Sequence, residues 1–243
     1  MIHKFPIFLA LILFFGCRTT SISNHNKQIT VQAVTLAGIG NAKDFVLEKN
    51  YNNAALPHLV KPIQLSTTQH TFSNKSFKAF SEAKSIQGKE MDIDYIDSLE
   101  SKPNFLNINI IDKVALVKQF NNKENEDVQN YLENKKEARI VTGLSLVFST
   151  SKMNAILEAD NVYLAEEGNK AYVLQLRTNG KTTQTISFSE AVVFAFKTEK
   201  FCWKENERHQ VVIADIIDIS ETCSGETYPS AKRAKKEIDY FKF

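Results

Sequence analysis

The stretch "KAYVLQLRTNGKTTQTISFS", residues 170–189, indicates the fold class of this chain. Apolar and polar residues alternate on both sides of Asn179-Gly180. This dipeptide is the strongest hairpin signal in the sequence, because both residues accept the positive φ of a type I′ turn. The stretch therefore predicts two antiparallel strands joined by a two-residue turn.

Similar strand patterns, separated by turn signals, occupy residues 138–220. They predict an antiparallel meander of about five or six strands in the C-terminal half. Upstream, apolar residues recur at helical spacing after two candidate caps, Asn74 and Asp112, and strand-like runs lie between them. We therefore expect an α+β fold in which N-terminal and central helices cover the C-terminal meander. The upstream strand-like runs are residues 29–37, 63–72 and 105–111.

The N-terminus has the layout of a secretory signal. Lys4 precedes an unbroken apolar block, residues 5–15. A cationic start before about 7 to 15 apolar residues is typical of such a signal, whereas a membrane-spanning helix needs about 20. The block ends in Gly16 and Cys17, without the small residues of an ordinary cleavage site.

This ending resembles the lipobox of bacterial lipoproteins, as in those of the Bacteroidota type. In a lipobox, a small residue precedes a cysteine that is acylated, for example with palmitate, and becomes the mature N-terminus. Gly16 and Cys17 match the two most specific positions, whereas Phe14 and Phe15 depart from the usual Leu and small residue. The resemblance implies that Cys17 is the lipidation site and the membrane anchor. The alternative is a buried cysteine in an uncleaved hydrophobic anchor.

The residues after Cys17 bear on location. Some surface-exported members of this class carry an acidic cluster directly after the cysteine, and this chain has Arg18, Thr19 and Thr20 there. The resemblance therefore favours a lipid-anchored protein of the cell envelope that faces the periplasm rather than the surface.

The domain organisation follows from these boundaries. Residues 1–16 are expected to be the signal peptide, and their removal from 243 residues leaves 227. Residues 17–28 are polar without apolar periodicity, as in a flexible lipidated tether. Residues 29–243 are expected to form a single α+β domain, with a possible subdivision near residue 137. The tail, residues 229–243, predicts a terminal helix docked on the sheet, with adsorption to anionic lipid headgroups as the alternative.

Composition restricts the partners and the compartment. The net charge of +2 becomes +1 when Lys4 is removed with the signal, which argues against nucleic-acid binding. With Cys17 lipidated, Cys202 and Cys223 remain as a pair. In an oxidising periplasm this pair predicts one structural disulfide, with free buried thiols as the alternative.

No constellation of residues identifies an enzyme. The histidines are scattered and form no paired metal-ligand spacing, although His209 near Cys202 and Cys223 leaves a Cys₂His site open. The acidic residues from Asp92 to Glu100 fail the calcium-loop pattern. Two Ser-x-x-Lys spacings, Ser81/Lys84 and Ser149/Lys152, are expected by chance and lack the partner motifs of penicillin-recognising enzymes. We therefore expect no catalytic residue, no metal and no cofactor.

The sequence thus predicts a non-enzymatic envelope lipoprotein that binds another envelope protein or a ligand, or serves a structural role. Its membrane contact would be the lipid anchor at Cys17. Two alternatives stay open. One is a hydrolase acting on an envelope polymer, with carboxylates assembled from distant segments. The other is a small-ligand carrier that uses a cavity between sheet and helices.

Overall fold

A single antiparallel sheet dominates the structure. The computed structural model describes residues 20–22, 25–41, 53–98, 101–168 and 170–235. Within these ranges the sheet has eleven strands. The strands are β1 (Thr20–Ile22), β2 (His25–Ile29), β3 (Ile39–Asn41), β4 (Ile63–Thr71), β5 (Asn104–Ile110), β6 (Ala138–Val147), β7 (Asn161–Glu167), β8 (Ala171–Thr178), β9 (Lys181–Ser187), β10 (Val192–Glu205) and β11 (Val211–Asp218).

Five α-helices lie in the described ranges, and the longest has only 13 residues. Short 3₁₀ turns at Lys123–Asn125 and Phe188–Glu190 complete the helical structure. The α-helices are α1 (Asn74–Ile86), α2 (Lys113–Phe120), α3 (Glu126–Glu133), α4 (Thr150–Glu158) and α5 (Ala231–Ala234).

The sheet pairs consecutive strands and also strands that lie far apart in the chain. Their order is β1-β2-β10-β6-β5-β4-β7-β8-β9, and β11 also pairs with β10 while β3 also pairs with β6. Every described pair is antiparallel. The sheet therefore joins the first described strands directly to one of the last.

The prediction of an α+β fold with a C-terminal meander is wrong. Five of the eleven strands precede α2, and they share one sheet with the six that follow. Among the strands of the expected meander, β7, β8 and β9 pair in succession, but β6 pairs with β5 instead of β7, and β10 lies between β2 and β6. Alternation along the sequence identifies strands one at a time, but it carries no information about which distant strand supplies the hydrogen bonds.

Three local expectations also differ from the structure. Residues 150–158, within a predicted strand region, form α4, whose buried Met153 and Ile156 lie three positions apart on one helix face. Part of the expected tether lies in β1 and β2, and residues 30–37 of the expected first strand lie outside any strand. Helix α1 is capped by Ser73, which accepts a hydrogen bond from the Ser76 N–H, and not by Asn74.

Other local expectations are confirmed. The turn between β8 and β9 contains Asn179 and Gly180 at φ of 52° and 75°, as a type I′ turn requires. The Asp112 carboxylate accepts a hydrogen bond of 2.8 Å from the Ala115 N–H at the start of α2. Sequence signals that act over three or four residues were therefore sufficient for these features.

The two faces of the sheet differ in composition. On β5, Leu106 and Ile108 point to one face and are fully buried, as are their partners Leu146 and Leu144 on β6. The opposite face carries the alternate residues of the same strands, since side chains in a strand alternate between faces. That second face holds aromatic clusters at its two ends and polar residues between them.

Helix α1 covers one end of this second face. Phe80 of α1 packs on Phe72 and Phe194, with ring centroids 5.4 and 6.2 Å apart. Phe105 of β5 lies 5.0 Å from Phe72 and 5.2 Å from Phe194. These contacts fix α1 over the strands and leave the middle of the face to other residues.

Helix α2 covers the other end. Its last residue, Phe120, contacts Phe201 of β10 edge to face at 5.5 Å. The Asn121 side chain donates a 2.8 Å hydrogen bond to the Ile213 carbonyl of β11 and accepts one of 3.0 Å from the Ile213 N–H. The two helices therefore flank an uncovered strip of the sheet face.

The segment after β11 is tied back to β10. Cys202, which is fully buried, is bonded to Cys223, and the two Cα atoms are 5.7 Å apart. Next to the bridge, Trp203 and Tyr228 exchange two backbone hydrogen bonds of 2.8 Å. Trp203 is buried in the core. Helix α5 then packs with Ala231 and Ala234 buried, while residues 236–243 of the expected terminal helix lie outside the described residues.

The aromatic cluster beneath α1 provides a test of the packing. Replacing the fully buried Phe194 by Ala is expected to lower the free energy of unfolding by about 3–5 kcal/mol, because it leaves a cavity among three other rings. Ile111→Ala is the control, since Ile111 is 53% exposed and its loss should cost less than about 1 kcal/mol. Urea unfolding followed by circular dichroism measures both changes. Equal effects of the two substitutions would contradict the described packing.

The disulfide provides a second test. The double variant Cys202→Ala/Cys223→Ala is expected to lose about 3 kcal/mol of stability, because the bridge closes a loop of 21 residues in the unfolded chain. Chemical unfolding with and without a reductant measures this loss. Reductant should destabilise the wild type and leave the double variant unchanged; a wild type that is insensitive to full reduction would contradict the expectation.

Candidate functional site

The register of four strands brings one row of residues together on the second face. Ser66 pairs with Asn109, Asn109 with Gly143, and Gly143 with Lys197. Directly paired residues in an antiparallel sheet point to the same face. We call the cavity above this row the central cleft; its volume is about 270 Å³. Its lining residues are Ser66, Asn109, Ile110, Lys113, Thr142, Lys197 and Glu199.

Gly143 lies beside the central cleft, between two of its lining residues. A Cβ atom at this position would lie 2.4 Å from Asn109 Oδ1 and 3.3 Å from Lys197 Cβ. The absence of a side chain therefore lets the Asn109 and Lys197 side chains approach each other across β6. The Cβ atom of any other residue would clash with the Asn109 side chain and displace it.

The charge of the cleft centres on Glu199. Lys113 Nζ lies 2.8 Å from Oε2 of Glu199, and Lys197 Nζ lies 2.9 Å from Oε1. The Glu199 side chain is only 3% exposed, whereas those of Lys113 and Lys197 are 38% and 25% exposed. One buried carboxylate thus holds two ammonium groups that keep contact with solvent. The attraction of the two ammonium groups for the carboxylate offsets the free-energy cost of burying Glu199.

A second carboxylate supports Lys197 from outside the lining. Asp218 Oδ2 lies 3.2 Å from Lys197 Nζ. Hydrogen bonds from the Ser220 backbone N–H and hydroxyl, together with Lys197, lower the pKa of Asp218 to about 2. Burial alone would lower the pKa of Lys197, but Glu199 and Asp218 raise it above its usual value. Lys197 and Asp218 are therefore both charged at neutral pH.

Lys27 of β2 lies beside this cluster and is completely buried. Its Nζ donates hydrogen bonds to Asn107 Oδ1 at 2.8 Å, Ser145 Oγ at 3.1 Å and the Leu144 carbonyl at 3.2 Å. The Ser145 hydroxyl in turn donates to Asn107 Oδ1 at 2.6 Å. All three acceptors are neutral. Burial and the charge of Lys197 therefore lower the pKa of Lys27 from 10.5 to about 7.

Thr142 is a lining residue whose hydroxyl group is buried. The residue is buried, and its Oγ1 atom has no hydrogen-bond partner among the described residues. Register shifts of the β6–β10 pairing between Lys197 and Thr198 leave Thr142 without a partner on β10. A buried hydroxyl without a partner costs about 1–3 kcal/mol, so a group that bonds to it would be favoured.

A second, more open cavity of about 530 Å³ lies where residues 57–60 meet the end of β7. There Glu166 accepts hydrogen bonds from the backbone N–H groups of Leu59, at 2.7 Å, and Lys170, at 3.1 Å. His58 Nδ1 lies 3.1 Å from Glu166 Oε1. Asn125 bonds to both backbone groups of His58, at 2.6 and 2.8 Å. These bonds give Glu166 and Asn125 a structural role in holding the chain before β4.

The residues that the sequence singled out do not assemble into a catalytic site. Lys84 donates a hydrogen bond to the Met91 carbonyl, and Lys152 pairs with Glu190, so neither lysine is bonded to the serine of its Ser-x-x-Lys spacing. Asp97 of the acidic segment bonds to Tyr95 and Lys102. Residues 1–16, which are predicted to be a signal, Cys17 and Glu100 lie outside the described residues.

The candidate metal sites also remain unassembled. The sulfurs of Cys202 and Cys223 are bonded to each other, and His209 pairs with Glu205 instead. Within the described ranges, no three His, Cys, Asp or Glu side chains are grouped so that they could hold a metal ion. None of the described helices is long and apolar enough to cross a membrane.

The residues that form the central cleft were not found from the sequence. Lys113, Lys197 and Glu199 come from segments more than 80 residues apart and share no motif. Two weak signals were present. Asn107 and Asn109 alternate with buried aliphatic residues on β5, and the charged residues Lys197 and Glu199 stand two positions apart in β10. Both patterns marked a polar face, but neither indicated that the two polar faces adjoin.

The fold and the cleft together define an antiparallel β-sheet protein with a charged, ligand-sized cavity on one face. No family model, curated protein or solved structure matches this chain. The chemistry of the central cleft is therefore the basis for its functional interpretation.

Lys27 makes stability depend on pH. The folded-state pKa of about 7 lies below the unfolded value near 10.5, so the unfolded chain binds more protons between these values. The free energy of unfolding should therefore rise with pH across this window, with the full penalty present below pH 7. Lys27→Met is expected to be more stable than wild type at pH 7, and this advantage should shrink towards pH 10. The exposed Lys61→Met is the control and should match wild type at both pH values, as measured by urea unfolding.

Proposed function

We propose that this chain is a lipid-anchored, periplasm-facing envelope protein that binds a ligand in the central cleft and has a non-enzymatic role. The observation that carries the binding role is the cleft itself. Partly exposed ammonium groups, a buried carboxylate and a threonine whose buried hydroxyl has no partner among the described residues belong to the lining of one cavity. Converging polar groups in a concave site are the usual basis of ligand recognition.

The proposed location rests on the lipobox-type ending at Gly16 and Cys17. Three chain steps separate Cys17 from Thr20, where β1 begins. At the maximum rise of about 3.6 Å per residue, they span at most about 11 Å. An acylated Cys17 would therefore keep the sheet close to the membrane surface. The bond between Cys202 and Cys223 is consistent with an oxidising compartment such as the periplasm.

Substitution of the lipidation residue tests the location. Cys17→Ser is expected to leave the membrane fraction and to retain residues 1–16, because acylation and cleavage both depend on the thiol. Cell fractionation and intact-mass measurement check the two effects. Cys223→Ser is the control, because it removes a cysteine outside the signal and should remain membrane-bound. Wild-type protein with residues 1–16 intact and an unmodified Cys17 sulfur would contradict the proposed anchor.

Native mass spectrometry tests the binding role. Protein released gently from its own membranes is expected to carry a small-molecule adduct, and Gly143→Val should lose it because the new side chain would displace Asn109, which lines the cleft. Thr182→Val, on the exposed edge strand β9, is the control and should keep the adduct. Circular dichroism establishes that the variants are folded. A wild type without any adduct, or an adduct that survives in folded Gly143→Val, would contradict binding in the cleft.

A further inference from the structure

We infer that the central cleft binds the oxyanion group, a carboxylate or a phosphate, of a small molecule. This inference rests on the proposed binding role of the cleft and names the chemical class of its ligand. It starts from charge: the lining contains two ammonium groups, on Lys113 and Lys197, and one carboxylate, on Glu199. The lining therefore has a net charge of +1. Beyond the lining, Asp218 pairs with Lys197, and Lys27 lies buried beside the same cluster.

The two ammonium groups retain hydrogen-bonding capacity. An ammonium group has three N–H donors. Lys113 Nζ contacts Glu199 Oε2 and donates to the Ile216 carbonyl at 3.1 Å, and Lys197 Nζ contacts Glu199 Oε1 and Asp218. Among the described contacts, each lysine thus has two partners for three N–H groups. The third N–H of each is available to a group in the cavity.

The position of Glu199 determines where an anion would bind. Its two oxygens each hold one lysine, so the two ammonium groups lie on either side of one carboxylate. A second oxyanion that bridged the two lysines from the cavity side would complete an alternating arrangement of two cations and two anions. Charge-assisted hydrogen bonds to carboxylate or phosphate are about twice as strong as neutral ones.

Thr142 is a further lining residue with an unsatisfied polar group. Its hydroxyl oxygen is buried and has no partner among the described residues. A hydroxyl can donate one hydrogen bond to an anionic oxygen, which would satisfy the group. The cavity of about 270 Å³ limits the ligand to a small molecule or to one end of a larger one.

Isothermal titration calorimetry on the purified full-length protein tests the inference. The probes are succinate, inorganic phosphate and uncharged glycerol, at low salt and then at about 0.5 M sodium chloride, where exposed charges are screened. Succinate or phosphate is expected to bind saturably below about 10 mM, more weakly at high salt, and glycerol is expected not to bind. Preference for succinate would identify a carboxylate ligand, and preference for phosphate would identify a phosphorylated one.

Matched variants locate the binding. Lys113→Met is expected to weaken anion binding about tenfold, the value of one hydrogen bond to a charged group. Lys152→Met is the control, because Lys152 pairs with Glu190 outside the cleft and should leave affinity unchanged. Thr142→Val keeps the shape of the side chain and removes only the unpartnered hydroxyl. It should weaken binding about fivefold while leaving the free protein as stable as wild type or more stable.

Several outcomes would overturn the inference. The inference fails if neither anion binds saturably, if glycerol binds as tightly as the anions, or if both cleft variants bind like wild type. Its failure can be distinguished from that of the proposed function. A co-purified adduct that is uncharged and lost in Gly143→Val would support binding in the cleft while excluding an oxyanion ligand.

Discussion

The pairing of β6 with β10 is the constraint on which the rest of the structure depends. It runs from Val192 with Val147 to Lys200 with Arg139, and two register shifts interrupt it. The first shift sets Phe194 out of the regular ladder, where it joins the aromatic cluster under α1. The second leaves Thr142 unpaired in the cleft while Lys197 and Glu199 stay on one face. Because side chains alternate along a strand, a slip of one residue would move both charges into the aliphatic face.

The same pairing explains why charged groups lie inside the sheet layer. The β2 strand adds to β10 beside this region, so the Lys27 side chain is carried over β10 and β6 and reaches the carboxamide of Asn107. Burying an ammonium group without an opposite charge costs free energy. The same burial lowers the pKa of Lys27, so that the neutral amine becomes accessible near pH 7. Glu199 differs from Lys27 because its buried charge is paired with two lysines of opposite charge. The sheet face between α1 and α2 thus contains Lys27, whose ammonium group can lose its proton, and Glu199, whose carboxylate is paired with two lysines. Aliphatic side chains in the same positions would give a more stable protein.

Only part of the fold could be predicted from the sequence. Features that depend on neighbouring residues could be predicted, and features that depend on residues far apart in the chain could not. The Asn179-Gly180 turn and the Asp112 cap depend on backbone conformation and hydrogen bonds within four residues, so local patterns were sufficient for them. The strand order β2-β10-β6-β5 depends on contacts between residues up to about 170 positions apart, for which alternation gives no signal. The α+β prediction is wrong for this reason: it recognises strands upstream but gives them no place in a sheet, whereas they share one sheet with the C-terminal strands.

The sequence by itself determined the signal-like N-terminus, the lipobox resemblance at Cys17, the cysteine pair and the turns, because each is a property of neighbouring residues or of composition. Tertiary structure alone decided the candidate site. Lys113 begins a helix, Gly143 lies in one strand, and Lys197 and Glu199 lie in another, and none of them is distinctive in its own segment. They become a site only because antiparallel register aligns Gly143 with Lys197 while α2 brings Lys113 to within 2.8 Å of Glu199. Such alignment is set by the packing of the whole sheet and is therefore not encoded in any short stretch of the chain.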